Sequence, residues 1–239
     1  MLGPQDIQLG VNESMRDTGI YFLYTNYSVP AINNYFFPTL SALVLSRFND
    51  IILARVFAHK DVEELVAFAK VPVINALSDK YHPLQALADI MTLKEHFGDL
   101  KGRTVSWVGD GNNVLHDLMI ASIKSGMHVR VATPKGYEPD PSVLQTAFAL
   151  AAENKVSLTL TADPNESVQG AHVVVTDTWI SMGQEDEAKK RKADFKGYQV
   201  NRELMRLAHK DAVFLHCLPR KPEEVSDEVR LNWNGNKFY

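Results

Sequence analysis

The sequence contains very little cysteine: Cys217 is the only one among 239 residues. A single cysteine excludes a disulfide-stapled scaffold and suits a reducing compartment. The eight histidines and Cys217 form no C-x-x-C or H-x₃-H pair, so the sequence predicts no metal site. An excess of basic residues is also missing, since 25 Lys and Arg face 29 Asp and Glu for a net charge of −4. That balance removes the electrostatic case for a nucleic-acid partner.

A long uninterrupted apolar run is absent as well. Residues 19–46 carry no charge, but residues such as Asn26, Pro30 and Asn33 interrupt the stretch. A membrane span needs about 20 mainly apolar residues, so membrane insertion is disfavoured. The first residues, Met1–Asp6, lack the basic region of a targeting peptide.

After this stretch, short apolar runs alternate with amphipathic segments, a pattern typical of parallel α/β sheets. We therefore predict an α/β fold with two doubly wound parallel-sheet domains, joined by a long helix over 83–97. The apolar stripe of that helix is expected to be Leu84, Leu87, Ala88, Met91 and Leu93. The predicted strands are 51–56, 71–75, 104–108, 128–132, 157–161, 172–176 and 212–216.

Ligands of doubly wound sheets bind beyond the carboxyl ends of the strands, so the residues that follow each strand are the candidates. The turn Gly109-Asp110-Gly111 could suit a dinucleotide, but Val114 stands where the third glycine should be. The turn is therefore either a plain strand-to-helix connection or a place where the Asn113 amide meets a small polar ligand.

Other strand ends also carry polar residues with two possible roles. Asp177 or Ser181 could cap the helix expected over 184–196, or Asp177 could bind a substrate ammonium group. His82 could cap the next helix or face a ligand. Cys217 and His216 should point to opposite faces of their strand, which argues against a Cys–His dyad. Arg220 suits a phosphate or carbonyl oxygen.

Together these motifs resemble ornithine carbamoyltransferases, over residues 1–18 and 44–229. The motif around His82 is shared with aspartate carbamoyltransferases, whereas those at Asp177 and Cys217 point to ornithine. The segments that carry the resemblance are Leu9-Gly10-Val11-Asn12-Glu13-Ser14, Leu53-Ala54-Arg55-Val56, His82-Pro83-Leu84-Gln85, Trp107-Val108-Gly109-Asp110-Gly111-Asn112-Asn113, Asp177-Thr178-Trp179-Ile180-Ser181-Met182-Gly183 and His216-Cys217-Leu218-Pro219-Arg220.

The resemblance implies transfer of a carbamoyl group from carbamoyl phosphate to the δ-amine of ornithine, giving citrulline and phosphate, without a cofactor or metal. It also implies a homotrimer, and a mitochondrial matrix location if the chain is like the animal members, or a cytoplasmic one otherwise. By resemblance, the carbamoyl-phosphate contacts are Arg55, His82, Gln85 and Arg220. The implied ornithine contacts are Asn113, Asp177, Ser181, Met182, Cys217 and Leu218, and the implied catalytic residues are Cys217, Arg220, Asp177 and His82.

Three departures from the family pattern lead to further expectations. The family's Ser-x-Arg-Thr-Arg phosphate loop does not occur in these residues, and residues 231–239 stand in place of its late arginine and terminal helix. We therefore expect weak catalysis. Residues 19–43 interrupt a family helix and are expected to be a loosely ordered, non-family insert outside the core. The expected domains are a partial carbamoyl-phosphate-binding domain over 1–97 and an ornithine-binding domain over 98–239.

Three other functions are weighed against this one. A non-catalytic fragment could bind an amino acid or pair with complete subunits. A nucleotide-dependent dehydrogenase is motivated by the Gly109–Gly111 turn alone. Aspartate carbamoyltransferase is disfavoured because Asp177 suits the cationic side of a zwitterion, and Ser181 and Met182 match the ornithine enzymes.

Overall fold

The structure falls into two compact units, each described by itself below. It is a computed structural model that describes residues 9–10, 20–24, 36–181 and 184–232. The units are Met1–Leu84 and Gln85–Tyr239. The division therefore lies near the start of the helix predicted over 83–97.

The first unit contains a four-stranded sheet with two helices. Its strands are β1 (Leu9–Gly10), β2 (Ile20–Tyr24), β3 (Ile51–Arg55) and β4 (Val73–Leu77), and its helices are α1 (Phe36–Leu45) and α2 (His59–Phe68). The strand order is β1-β2-β3-β4. The small strand β1 runs antiparallel to β2, whereas β2, β3 and β4 are parallel.

The expectation that residues 19–43 lie outside the fold is wrong for the described part of that segment. Strand β2 pairs with β3 along its whole length, from Ile20 opposite Ile51 to Tyr24 opposite Arg55. In α1, Ala42 is fully buried in the core of this unit. An uncharged stretch can satisfy its backbone hydrogen bonds by adding a strand to a sheet, so its departure from the family pattern did not imply the lack of a strand.

Helix α2 is amphipathic. It begins at His59 after Ala58, and its buried residues are Val62 and Leu65. Val66 and Phe68 are exposed.

The second unit is a five-stranded parallel sheet in the order β7-β6-β5-β8-β9. Its strands are β5 (Thr104–Val108), β6 (His128–Ala132), β7 (Leu158–Thr161), β8 (Val173–Thr176) and β9 (Val213–His216). Its helices are α3 (Pro83–Phe97), α4 (Asn113–Lys124), α5 (Pro141–Asn154), α6 (Pro164–Val168), α7 (Ala188–Asp194), α8 (Arg202–Met205) and α9 (Asp227–Asn232), with a short 3₁₀ turn at Glu185–Glu187. The predicted α/β class is confirmed. Among the described residues, no helix is both long and apolar enough to cross a membrane.

The strand order creates a switch point between β5 and β8. The chain moves outward from β5 to β6 and β7, and then returns to place β8 on the other side of β5. Crevices for ligands form at such a point, beyond the carboxyl ends of the two central strands. The residues at those ends are Asp110–Asn113 after β5 and Asp177 after β8.

Helix α3 has the predicted bounds but presents a different face to the core. Leu87 is 62% exposed and Met91 is 59% exposed, although both were assigned to the buried stripe. Leu93 is buried as predicted, and the other buried residues of the helix are Ala86 and Asp89. Residues 86, 89 and 93 also follow a helical spacing, so periodicity alone could not choose between the two faces.

Candidate functional site

The first unit places Arg55 and His82 at the carboxyl ends of neighbouring strands. Arg55 ends β3, and His82 follows β4 just before α3. Burial, and then the positive charge of Arg55, lower the pKa of His82 to about 4. At neutral pH the pair therefore combines a permanent cation with a neutral imidazole, a combination that suits an anionic group or a carbonyl oxygen.

In the second unit, Asp177 is the first residue after β8 and is only 6% exposed. Its Oδ2 accepts a hydrogen bond of 2.9 Å from Nδ2 of Asn112. Burial raises the pKa of Asp177 to about 6, although the hydrogen bond from the Thr178 backbone, the charge of His216 and the hydrogen bond from Asn112 oppose the increase. The helical residues that follow start only at Glu185, so Asp177 is not the helix cap that the sequence left open.

The residue that touches Asp177 is Asn112, which the sequence did not single out. Asn112 caps α4: its Oδ1 accepts from the backbone N–H groups of Val114 and Leu115. Its amide nitrogen is then directed to Asp177. The predicted ligand residue Asn113 begins the helix, and its Oδ1 accepts from Val114 N at 3.0 Å. An Asn directly before a helix was the available signal for Asn112.

The glycines before Asn112 have a packing role. A Cβ on Gly111 would lie 2.4 Å from both the carbonyl carbon of Glu138 and the nitrogen of Pro139. The Gly111 N–H also donates to the carbonyl of Tyr137 at 2.9 Å. Glycine is therefore required here by a neighbouring backbone, which accounts for the Gly-x-Gly pattern without a dinucleotide.

A buried glutamate, Glu224, joins the loops after β8 and β9. It is fully buried, and its Oε1 accepts from the Thr178 hydroxyl at 3.1 Å and the Trp179 N–H at 3.3 Å. Its Oε2 lies 3.5 Å from Nε2 of His216. The Leu218 N–H donates to Nδ1 of His216 at 2.9 Å, so the imidazole is fixed between the two loops. Sequence reasoning missed Glu224 because its partners are distant along the chain.

Cys217, which follows β9, contacts the beginning of α3. Its Sγ donates to Oε1 of Gln85 at 3.5 Å. Nε2 of Gln85 donates in turn to Oδ1 of Asp89 at 2.9 Å, and Asp89 is 7% exposed. Burial raises the pKa of Asp89 to about 6; the Gln85 bond opposes this rise and the charge of Asp177 adds to it. The structure thus groups Gln85, Cys217 and Asp177 with a carboxyl that the sequence analysis did not identify.

The remaining predicted residues have other neighbours in the described structure. The Arg220 guanidinium donates to the carbonyl of Val225 at 2.7 Å and pairs with Asp227. The Ser181 N–H donates to Oε1 of Gln184, and Leu218 is about half exposed. Met182 lies outside the described residues.

The edge of the second unit that carries these residues is acidic. Asp89 and Asp177 are both buried, and the charge of Asp177 raises the cost of ionising Asp89. A ligand that brings a cationic group to them would supply the missing counter-charge. The geometry therefore favours a ligand with an ammonium group.

Two protein-family models match the chain. The carbamoyl-P binding domain of aspartate/ornithine carbamoyltransferases matches residues 39–95, and the Asp/Orn binding domain matches residues 101–234. Since the first match begins at residue 39, the last five residues of the predicted insert belong to the matched region.

Individual relatives agree with these matches. The mitochondrial ornithine carbamoyltransferase of Aquarana catesbeiana is 51% identical over 228 residues, which are 95% of this chain and 59% of that protein. The ornithine carbamoyltransferase of Pyrococcus horikoshii is 49% identical over 95% of this chain and 65% of its own length. The solved ornithine carbamoyltransferase of Pyrococcus furiosus superposes with a TM-score of 0.77 and 53% identity, over 80% of this chain and 62% of that one. The chain thus spans about three fifths of the length of the relatives it matches.

Proposed function

The chain belongs to the aspartate/ornithine carbamoyltransferase family, and we propose that it acts in carbamoyl transfer from carbamoyl phosphate to the δ-amine of ornithine. The products are citrulline and phosphate: a C–N bond forms, the bond from the carbamoyl carbon to the phosphate oxygen breaks, and the δ-nitrogen loses a proton. The observation that carries the choice of an amino-acid acceptor is the buried Asp177 carboxyl, which forms no ion pair with a lysine or arginine among the described residues.

The proposed roles follow the two chemistries of the site. Arg55 and His82 hold the phosphate and the carbamoyl oxygen, where negative charge develops during attack. Arg220 is a further donor to that oxygen, and Gln85 contacts the carbamoyl group. Asp177 binds the ornithine ammonium group through a charge-assisted hydrogen bond. The other proposed ornithine contacts are Asn113, Ser181, Met182, Cys217 and Leu218.

The proposal also covers domains, assembly and location. Residues 1–97 form the carbamoyl-phosphate-binding part and residues 98–239 the ornithine-binding part, and the separate family matches support that division. The proposed assembly is a homotrimer, which light scattering on a sizing column would measure. A mitochondrial location is proposed from the Aquarana relative, and fractionation of cells that express the native gene would test it.

Calorimetric titration of the 239-residue chain with ornithine tests the proposed function. We expect ornithine to bind, aspartate not to bind, and Asp177→Asn to weaken ornithine binding by about 1.5–3 kcal/mol, the range for a hydrogen bond to a charged group. The matched control is Asp211→Asn, since Asp211 is exposed and precedes β9.

Two results would overturn the residue assignment: equal binding of aspartate and ornithine, or unchanged binding by Asp177→Asn. A parallel assay for citrulline separates transfer from the non-catalytic alternative. Ornithine binding without any citrulline would favour a fragment that binds an amino acid but does not transfer the carbamoyl group.

A further inference from the structure

Helix α3 carries a buried carboxyl, Asp89, one turn after the proposed ligand residue Gln85. Residues four apart lie on the same face of a helix, so the two side chains are neighbours. Asp89 occupies this face between the buried residues Ala86 and Leu93. A carboxyl among apolar neighbours costs stability unless it has a partner, and Gln85 is the partner that the structure provides.

Both polar atoms of the Gln85 amide form a hydrogen bond, one as the donor and the other as the acceptor. Its Nε2 donates to Oδ1 of Asp89 at 2.9 Å, and its Oε1 accepts from Sγ of Cys217 at 3.5 Å. An amide can turn by 180° about its last bond and exchange its donor and acceptor ends. An ionised carboxylate only accepts hydrogen bonds, so Asp89 favours the orientation in which the NH₂ end faces it.

We propose that Asp89 is a positioning residue that holds the Gln85 carbonyl oxygen toward Cys217 and so makes Gln85 a hydrogen-bond acceptor in the site. An acceptor suits the NH₂ group of a carbamoyl ligand, whereas the reversed amide would present a donor to that donor. This consequence for ligand choice rests on the proposed function. The orientation of the amide does not, because it follows from the contacts of Asp89, Gln85 and Cys217.

Cys217 allows a direct test because it is the only cysteine in the chain. The rate of its alkylation by iodoacetamide, measured between pH 6 and 10 on the intact 239-residue chain, gives the pKa of this one thiol. In the Asp89→Asn variant, the new amide can donate as well as accept, so Gln85 is free to turn its NH₂ end toward the sulfur. An NH₂ group stabilises the thiolate, whereas a carbonyl oxygen stabilises the thiol.

The expected result is a lower thiol pKa in Asp89→Asn and alkylation at pH 7 that is about three- to tenfold faster, the size of one net hydrogen bond. Glu95→Gln is the matched control, since Glu95 is an exposed carboxyl on the same helix, and it should leave the rate unchanged. In a Gln85→Leu background, Asp89→Asn should cause no further shift, because the amide that links the two residues is gone.

Several outcomes would overturn the inference. An unchanged thiol pKa in Asp89→Asn would do so, and so would an equal shift in the Gln85→Leu background. A rate increase of the same size at every pH, without a shift in pKa, would indicate general loosening and would also count against it.

If Asp89→Asn does not fold, the parent chain still decides the question by NMR. The Gln85 side-chain NH₂ should exchange with water much more slowly than that of Gln145, which is exposed on α5. Equal exchange rates would contradict the bond to Asp89. Both readouts are independent of ornithine binding, so failure of the proposed function would leave them interpretable.

Discussion

Asp110 and Asp177 lie at the carboxyl ends of the neighbouring strands β5 and β8, and each is 6% exposed. Their surroundings differ. Oδ2 of Asp110 accepts from Nη1 of Arg191 at 2.9 Å. Oδ1 of Asp177 instead lies 4.0 Å from Nδ1 of His216, which accepts a hydrogen bond from the Leu218 N–H.

On the proposed function, the difference separates a structural carboxylate, Asp110, from one that we propose binds a ligand, Asp177. Arg191 also donates to the carbonyl of Trp179, so the Asp110–Arg191 pair joins the loops after β5 and β8. In the described part of the chain, Asp177 forms no ion pair with a lysine or arginine. A buried carboxyl that lacks a cationic partner is unfavourable for stability, and such groups cluster at functional sites.

The largest expected effect is the loss of stability when the Asp110–Arg191 pair is broken. Arg191→Met leaves Asp110 buried without its cation, and removing one partner of a buried pair costs about 3–5 kcal/mol. Urea unfolding followed by tryptophan fluorescence measures this, because all three tryptophans lie in residues 85–239. Adding Asp110→Asn should restore part of the loss, and a double variant as unstable as Arg191→Met would show that the pair is not the cause.

Replacement of Asp177 should change the stability in the opposite direction. The pKa of Asp177 is raised from 3.8 to about 6, so the folded protein binds the proton more tightly than the unfolded chain does. Stability from this group is therefore present below pH 4 and is lost as the pH rises to about 6. Asp177→Asn should stabilise the second unit by about 2–3 kcal/mol at pH 7 and by almost nothing at pH 4.

The same urea titration, run at both pH values, checks this expectation. Asp211→Asn is the control, because Asp211 is an exposed aspartate. A variant that is less stable than the parent at pH 7 would mean that the ionised Asp177 is stabilised by the fold after all.

The smallest expected effect concerns ligand affinity and depends on the proposed function. An ammonium ligand binds the ionised form of Asp177, so ornithine affinity should fall about tenfold between pH 7 and pH 5. Asp89 titrates in the same range and interacts with Asp177, so the two carboxyls share a coupled step. Calorimetry across this range measures the dependence; it should be much weaker in Asp177→Asn, and equal slopes in the two proteins would contradict the assignment.

Much of the second unit could be predicted from the sequence because its signals are local. Strands β5 and β6 and helix α3 have the predicted bounds, and Asp177 and Cys217 follow buried strands as expected. In a parallel sheet such positions must meet at one edge, so the location of the site follows from chain order.

Other features were predicted wrongly or were missed. Strand β2 was taken as part of an insert, because residues 19–43 interrupt the family pattern. Asn112, Arg191 and Glu224 were missed because their roles depend on partners elsewhere in the chain. Asp89 was missed because its role depends on which face of α3 is buried.

The sequence by itself determined the α/β class, the order of elements and the strand ends that carry polar residues, since these depend on spacing between near neighbours. Only the tertiary structure decided which face of α3 is buried, and therefore that Asp89 lies beside Gln85 in the interior. It also decided which buried aspartate obtains a cation, because Arg191 is 81 residues away from Asp110. Burial and charge pairing are properties of the assembled fold, and they separate two aspartates that look alike in the sequence.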